Sequence, residues 1–553
     1  MSGQTAWLVL LAPLAPLMVT LLALSRRGRP FLPFFSIAAP LPALGVALTA
    51  ASDRIVTVPW LLLQTRASVD EVGRAFLVLF SLLWLVAAWH SFHYLRANGR
   101  RSEFSVYFLL AMAGNLGTAV MQDAISFYAC FALMSFASYG MVAHDRTPEA
   151  LRAGRIYIVL VVLGEMAVFS GLLLTVLALG GPFGGQGATT SMALLLLGIG
   201  FSVKAGLVPL HFWLPLAHPA APVPASAVLS GAMIKVGLLG GIRFLPAAGS
   251  LDAANLLMTL GSITAIYGVV IGTVQSNPKA LLAYSSVSQM GLFAIGLGLA
   301  YQPGASGLAL AAILLLALHH GFAKAALFLG TALSPGSCTG WPRALRLAGL
   351  ILPAAALAGA PLTSGAVAKG ALKSVAEGPL WLDTFLALSS TGTTILLIQF
   401  LRLMWRKRGD EKPGTLWPWL ASVALSVSIM WIWPLAGGFL GYSMTGPALI
   451  ASLWPVLIGT ALGIILNRWT HVPVASAIPP GDLIVPLERG LRRLRFIVMK
   501  FLPTMPAHPA GLTGRVQAAG KYLGATEAKA HVWRFGSIAT AILAGLIILT
   551  LML

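Results

Sequence analysis

Apolar stretches about 20 residues long recur from one end of the chain to the other, each as long as a helix must be to cross the hydrocarbon core of a bilayer. Windows of that length fall near 5–24, 31–51, 73–95, 103–121, 123–143, 154–179, 189–212, 222–246, 253–273, 280–301, 307–332, 344–377, 380–403, 415–434, 446–466 and 534–553. That makes about sixteen spans, with 344–377 long enough to be a broken or paired helix. The runs do not alternate apolar and polar positions as the strands of an outer-membrane barrel do. Only 9% of the residues are charged and 58% are hydrophobic, whereas a soluble domain carries roughly 25% charged residues. The sequence predicts an all-α polytopic membrane protein.

A net charge of +20 would suit a nucleic-acid binder, but its placement argues otherwise. With the N-terminus outside, the inner loops carry Arg26, Arg27 and Arg29; Arg96, Arg100 and Arg101; Arg146, Arg152 and Arg155; Lys279; Arg343 and Arg346; and Arg402 through Lys412. The outer connections GGPFGGQG, YQPGASG and PLAGGFLGYSMTGP have no Lys or Arg. Repeated loop after loop, this bias points to a multi-pass protein of a bacterial-type inner membrane with its N-terminus outside. The first apolar run lacks a basic n-region and a small-residue cleavage site before Ser25-Arg26-Arg27, so it reads as a retained span. Cys130 and Cys338 are too few for a disulfide framework or a cysteine metal site. Trp60, Tyr94, Trp405, Trp417 and Trp533 sit near span ends, as interfacial aromatics do.

Within residues 480–533, LERGLRRLRFIVMKFL sets apolar and basic positions at helical spacing, as an amphipathic helix on the cytoplasmic face would. A solvated, charged loop is the plainer alternative. FGSIATAILAGLIILTLML then crosses once more. The expected organisation is N-terminal helices one to three (1–100), a unit of helices four to eight (101–250), a second of helices nine to thirteen (251–405), peripheral helices (406–470), the cytoplasmic amphipathic segment (471–533) and a last transmembrane helix (534–553).

Charge at mid-membrane costs on the order of 3 kcal/mol even on insertion-based scales, so residues that bear it there are functional candidates. By span position these are Glu165, Lys204, Lys235, Lys324, Lys369 and Lys373, with His319 and His320 beside Lys324. Each has a structural alternative. Lys235 could snorkel, Lys373 could reach the outer interface near Glu377, and His319 could be a packed core histidine. Several lysines on separate spans are better explained by an ionisable file inside the bundle. Lys204 is followed by Gly206 and Pro209, and Lys369 is preceded by Gly359, Pro361 and Gly365. Pro removes a helical hydrogen bond and Gly eases a break. Paired breaks in two halves point to inverted-repeat transporters, here two five-helix units with one interrupted helix each. Burial disfavours the charged form of a lysine and a nearby carboxylate restores it, so moving a partner charge loads or unloads a proton. A file of Lys, His and bridging waters is thus a gated proton path. It needs no cofactor, and the chain has no Walker or dinucleotide fingerprint and no metal-ligand cluster.

Three motifs carry a resemblance: KAGLVPLHFWLPLAHPAAPVPASAVLSGAMIKVG at 204–237, LLAYSSVSQMG at 281–291 and LHHGFAKAALFLG at 318–330. Over about residues 100 to 405 the chain resembles the antiporter-like membrane subunits shared by respiratory complex I, the Mrp-type cation/proton antiporters and the membrane-bound hydrogenase and formate-hydrogenlyase complexes. The resemblance implies a core of about fourteen helices in two inverted repeats around a hydrophilic axis. By position, Lys204 matches the lysine of the broken seventh helix, Lys235 that of the eighth, Lys324 the linking lysine and Lys369 the terminal lysine of the broken twelfth. His319 or His320 matches the histidine beside the linking lysine. The basic tail and last helix are similar to the lateral extension of some members.

One departure stands out. The family's fifth helix usually carries aromatic-Glu-x-Met-Ser, its glutamate pairing with the lysine of the seventh helix. FALMS at 131–135 puts Ala132 there, while Glu165 stands midway along the sixth span. Glu165 is therefore expected to have become the partner of Lys204; otherwise the first half-channel is degenerate.

The resemblance implies proton translocation as one subunit of a larger complex, driven by a redox module or exchanging protons for Na⁺ or K⁺. The first motif is closer to the hydrogenase and Mrp members than to complex I. Alternatives are inorganic-carbon uptake with a soluble zinc partner and, from another class, a non-conducting scaffold. No catalytic redox centre is evident in the chain, and the partner modules are not written in it.

Overall fold

The structure is a computed structural model that describes residues 3–52, 54–62, 64–178, 190–245, 251–302, 307–375 and 380–469, with 479–481, 484, 485 and 490. The rest of the expected amphipathic segment, the expected last span 534–553, Glu377 and Trp533 lie outside the described residues. In chain order the helices are α1 (Leu11–Thr20), α2 (Leu32–Ala38), α3 (Leu41–Thr49), α4 (Glu71–Tyr94), α5 (Arg101–Val120), α6 (Ala124–Val142), α7 (Pro148–Ala178) and α8 (Ser191–Ala205). Then come α9 (Trp213–Ala220), α10 (Val223–Val228), α11 (Lys235–Phe244), α12 (Leu251–Thr273), α13 (Pro278–Tyr301) and α14 (Leu308–Gly330). The last are α15 (Gly340–Ala358), α16 (Ser364–Val375), α17 (Leu380–Arg406), α18 (Leu416–Ile432), α19 (Pro434–Ser443) and α20 (Gly446–Trp469).

Among the described residues, 12 helical stretches are long and apolar enough to cross a membrane. The other expected spans within the described residues are interrupted or short. The window 189–212 holds α8, which stops at Ala205, and 344–377 is divided between α15 and α16. The window 415–434 holds the 17-residue α18. PLAGGFLGYSMTGP, read as a bare connection, contains α19, a 10-residue apolar helix too short to span. A two-stranded antiparallel hairpin also forms, β1 (Val56–Val58) with β2 (Thr65–Ala67). Strands this short leave no trace in a 20-residue hydropathy window.

Burial grades the helices from axis to rim. The apolar windows of α13 and α14 are 100% buried, while that of α20 is 17% buried. Helix starts are fixed by side-chain caps that satisfy otherwise orphan N–H groups. Asp70 accepts from Gly73 N at α4, Asp123 from Ser126 N at α6, and Asn277 from Lys279 N and Ala280 N at α13. At the far end of α5, the Arg243 guanidinium caps the carbonyls of Thr118, Ala119 and Met121 and pairs with Asp70 at 3.0 Å.

At the other end the basic loops touch one another. Ser102 donates to the Arg29 carbonyl, Arg100 to the His144 carbonyl and Lys279 to the Ala221 carbonyl. Lys407 donates to the Thr331 carbonyl, and Arg346 meets Glu411 through two nitrogens, Nη2 at 2.7 Å. Trp405, an expected interfacial aromatic, stacks under Arg343 at 4.0 Å.

Candidate functional site: a buried file of lysines and histidines

Two broken helices build the ends of the site, and the breaks have the same backbone design. Gly206 ends α8 at φ +74° and Gly359 ends α15 at φ +85°, the left-handed region where a Cβ is penalised. Gly206 N donates to Ser202 and Val203 carbonyls and Leu207 N returns to Ser202; Gly359 N donates to Ala355 and Ala356, and Ala360 N returns to Ala355. These are matching glycine C-caps of the Schellman type. Pro209 and Pro361 follow in the connecting turns 207–212 and 360–363, where they prevent the helix from resuming rather than kinking it from inside.

The two lysines lie on opposite sides of their breaks, as their order relative to glycine and proline implied. Lys204 belongs to the last turn of α8, whereas Lys369 stands on α16 and reaches back to α15. Its Nζ donates to the Leu357 carbonyl at 3.3 Å, the Ala358 carbonyl at 3.1 Å and Ser390 Oγ at 2.9 Å. A cation is thereby set on the negative end of a helix dipole.

Lys204 is 4% exposed and Glu165 3%. The lysine donates to Ser135 Oγ at 2.7 Å and lies over the Phe131 ring at 5.2 Å. Phe131 and Ser135 are one turn apart on α6, so they present one face. Helices α7 and α8 approach closely here: a Cβ on Gly164 would stand 2.9 Å from Val203, and one on Gly200 would stand 2.7 Å from the Gly164 carbonyl oxygen. Small residues permit such approach between membrane helices. Glu165 and Lys204 are in electrostatic range of each other beside Ser135. No direct ion pair joins them: the Glu165 carboxylate is buried, with the Ser135 hydroxyl as the polar group between it and the lysine. Trp213 Nε1 donates to the Val203 carbonyl at 2.8 Å, closing the end of α8. Ala132 occupies the turn of α6 before Ser135 and brings no charge.

Lys235, His319, His320 and Lys324 are all 0% exposed. That excludes snorkelling for Lys235. Ahead of it a π-helical turn, Leu229–Met233, interrupts the span, and Lys235 Nζ donates to the Ser230 carbonyl at 3.1 Å. Such turns recur at functional positions. Lys324 donates to the Leu282 carbonyl at 2.8 Å. His319 Nδ1 meets Ser364 Oγ at 2.8 Å, and that hydroxyl donates onward to the Ser426 carbonyl at 3.2 Å. The network therefore places the imidazole proton on Nδ1 and leaves Nε2, which has no partner, as an acceptor. His320 has no hydrogen-bond partner on either nitrogen. Electrostatically, Lys235 is in range of His319, His320 and Lys324, and His319 is in range of Lys369. Lys204 and Glu165 form a separate group with no such link to Lys235. Lys373 pairs with Asp383 at 3.2 Å.

Sequence reasoning missed the acceptors. Ser135, Ser364 and Ser390 are single hydroxyls among many, and the Ser230 and Leu282 acceptors are backbone carbonyls. His218 was also passed over: it is buried, stacks on Phe328 with ring centroids 4.5 Å apart, and lies in range of Lys279 and Lys324.

Residues 121–396 match the profile of the family described as NADH:quinone oxidoreductase/Mrp antiporter, TM. The chain belongs to this family. Hydrogenase-4 component B of Escherichia coli is 31% identical over 284 residues, which cover 47% of this chain and 42% of that protein. The chain thus spans less than half the length of the first relatives it matches. Among solved structures, the membrane-bound sulfane sulfur reductase, an archaeal respiratory membrane complex, has a chain with TM-score 0.66 and 21% identity, covering 82% of this chain and 100% of that one. A chain of the Mrp complex from Dietzia sp. also gives 0.66 at 21%, covering 98% of this chain and 63% of that one. The fold of this family member is therefore that of an Mrp-type antiporter subunit.

Proposed function

We propose that this antiporter-like subunit moves protons along its buried Glu/Lys/His file, as one membrane component of a multisubunit ion-pumping complex. The observation that carries the reading is the set of buried basic groups from Lys235 to Lys369, together with the buried carboxylate of Glu165 near Lys204. A buried charge is costly unless it is paired, hydrogen-bonded or neutralised. Here the lysines have neutral acceptors, and unpartnered nitrogens of His319 and His320 stand ready to take a proton. A scaffold has no need of so many costly groups.

The matching glycine caps at Gly206 and Gly359 support two inverted five-helix repeats, 101–250 and 251–405, within a core of about fourteen helices. The basic loops meet at one end, which we assign to the cytoplasm, leaving the N-terminus outside a bacterial-type inner membrane. The relatives' names place this family in hydrogenase, quinone-reductase and Mrp complexes, so the partners we expect are further membrane subunits with a redox or antiporter module.

Glu165 takes the part of the carboxylate that Ala132 lacks. In membrane vesicles carrying the complex, Glu165→Ala is expected to lower proton flux roughly tenfold or more, as the loss of a proton-transfer group does. Adding Ala132→Glu to that variant restores part of the flux. Full flux in Glu165→Ala, or no recovery in the double variant, overturns this assignment.

A further inference from the structure

The start of α16 is built around His319. Thr363 caps this helix, its hydroxyl accepting from Ala366 N at 3.4 Å. Leu362 beside it is held at φ +61°, a left-handed backbone that is costly for leucine and persists only where the surroundings fix the turn. Ser364, the first residue of α16, is 1% exposed. Its Oγ meets His319 Nδ1 at 2.8 Å and donates to the Ser426 carbonyl of α18 at 3.2 Å, so it accepts from Nδ1–H. Gly365 closes the seat: a Cβ there would overlap the Ala356 carbonyl oxygen of α15 and stand 3.0 Å from His319 Cε1. Consecutive residues of one helix thus hold the imidazole along its Nδ1–Cε1 edge. Further along the same helix, Lys369 reaches back to the carbonyl end of α15.

We propose that Ser364 is a positioning residue of the file: it keeps the resting proton of His319 on Nδ1, so that Nε2 alone takes up and returns the transported proton between Lys235 and Lys369. Both lysines are in electrostatic range of the ring. In the step, an ammonium N–H bond of one lysine breaks and an Nε2–H bond forms, leaving a neutral amine and an imidazolium. The Nε2–H bond then breaks in favour of the other lysine's neutral amine. The ring returns to the tautomer it started from, and Nδ1–H stays on Ser364 throughout. With the tautomer reversed, Nε2 already bears a proton and the free lone pair faces Ser364, which stops the exchange. The proposal rests on the proton-path reading above and adds the residue that makes His319 competent in it.

The test pairs proton flux in vesicles bearing the assembled complex with solid-state nitrogen NMR of the chain isotope-labelled at histidine. The His319 signals are those missing from His319→Gln. The wild type is expected to show a protonated Nδ1 and a bare Nε2 on this ring. Ser364→Ala should mix the two tautomers and lower flux about two- to tenfold, the range that the preference of one hydrogen bond supplies. Ser364→Thr, which keeps the hydroxyl, should restore the wild-type signal and most of the flux together, a link that a merely structural role would not produce. Ser364→Cys, a weaker acceptor of similar size, serves if the alanine variant fails to accumulate. A protonated Nε2 in the resting wild type would overturn the proposal. So would flux indifferent to Ser364 while His319→Gln abolishes it, and that result leaves the proton-path reading standing. Full flux in His319→Gln removes the proton role of His319 and the proposal with it.

Discussion

Ser135 shows how the first half-site survives without its usual carboxylate. Its oxygen accepts from Lys204 at 2.7 Å while its own proton goes to the Phe131 carbonyl at 2.9 Å, so α6 keeps hold of the lysine after losing a charge at Ala132. A hydrogen bond to a charged group is worth about 1.5–3 kcal/mol. Ser135→Ala is therefore expected to lower the thermal stability of the purified protein by that order, and Ser135→Thr, which keeps the hydroxyl, to restore most of it. Equal melting temperatures for all three would mean that Lys204 draws nothing from this contact. The lysines were legible in the sequence because a charge inside an apolar window is conspicuous. Their acceptors were not, because one serine or one carbonyl has no pattern until the helices are packed. The same holds for Glu165: its place on the sixth span could be read, but its electrostatic reach to Lys204 depends on the close α7–α8 approach at Gly164 and Gly200.

The two glycine-ended breaks are the elements on which the site hangs. Proline and glycine near Lys204 and Lys369 announced the interruptions, with Lys204 ahead of its break and Lys369 behind its own. The backbone supplies their form: each helix stops at a left-handed glycine and the chain restarts after a turn. A Cβ in this conformation costs roughly 1–2 kcal/mol for an L-residue. At Gly206 it would also stand 2.1 Å from Leu214 Cδ1, against 3.1 Å from Lys369 Cδ at Gly359. Gly206→Ala should therefore destabilise more than Gly359→Ala in thermal unfolding, whereas Gly359→Ala, by pushing on Lys369, should cost more proton flux relative to its loss of stability. The opposite order in both assays would refute this account of the breaks. The span count, by contrast, depends on where helices stop, and hydropathy windows run straight through a six-residue turn.

Across the whole molecule, charge and burial are arranged in opposite senses. The basic loops gather at one end in mutual contact, and the most deeply buried helices, α13 and α14, run through the middle with Lys324 and both histidines on α14. Composition and loop charge made the multi-pass class and the basic end legible. That Lys235, the histidines and Lys324 form one electrostatic group, with Lys369 joined through His319, required the packed bundle. Lys324 stands at the junction of Lys235, His320 and His218. The most direct test of the central claim is proton translocation by vesicles bearing the assembled complex with Lys324→Met, which keeps the side chain's length and removes its charge. The account predicts that flux falls to the background of vesicles lacking the complex while the subunits still co-purify. Wild-type flux from that variant would contradict it and leave the buried file without a role in transport.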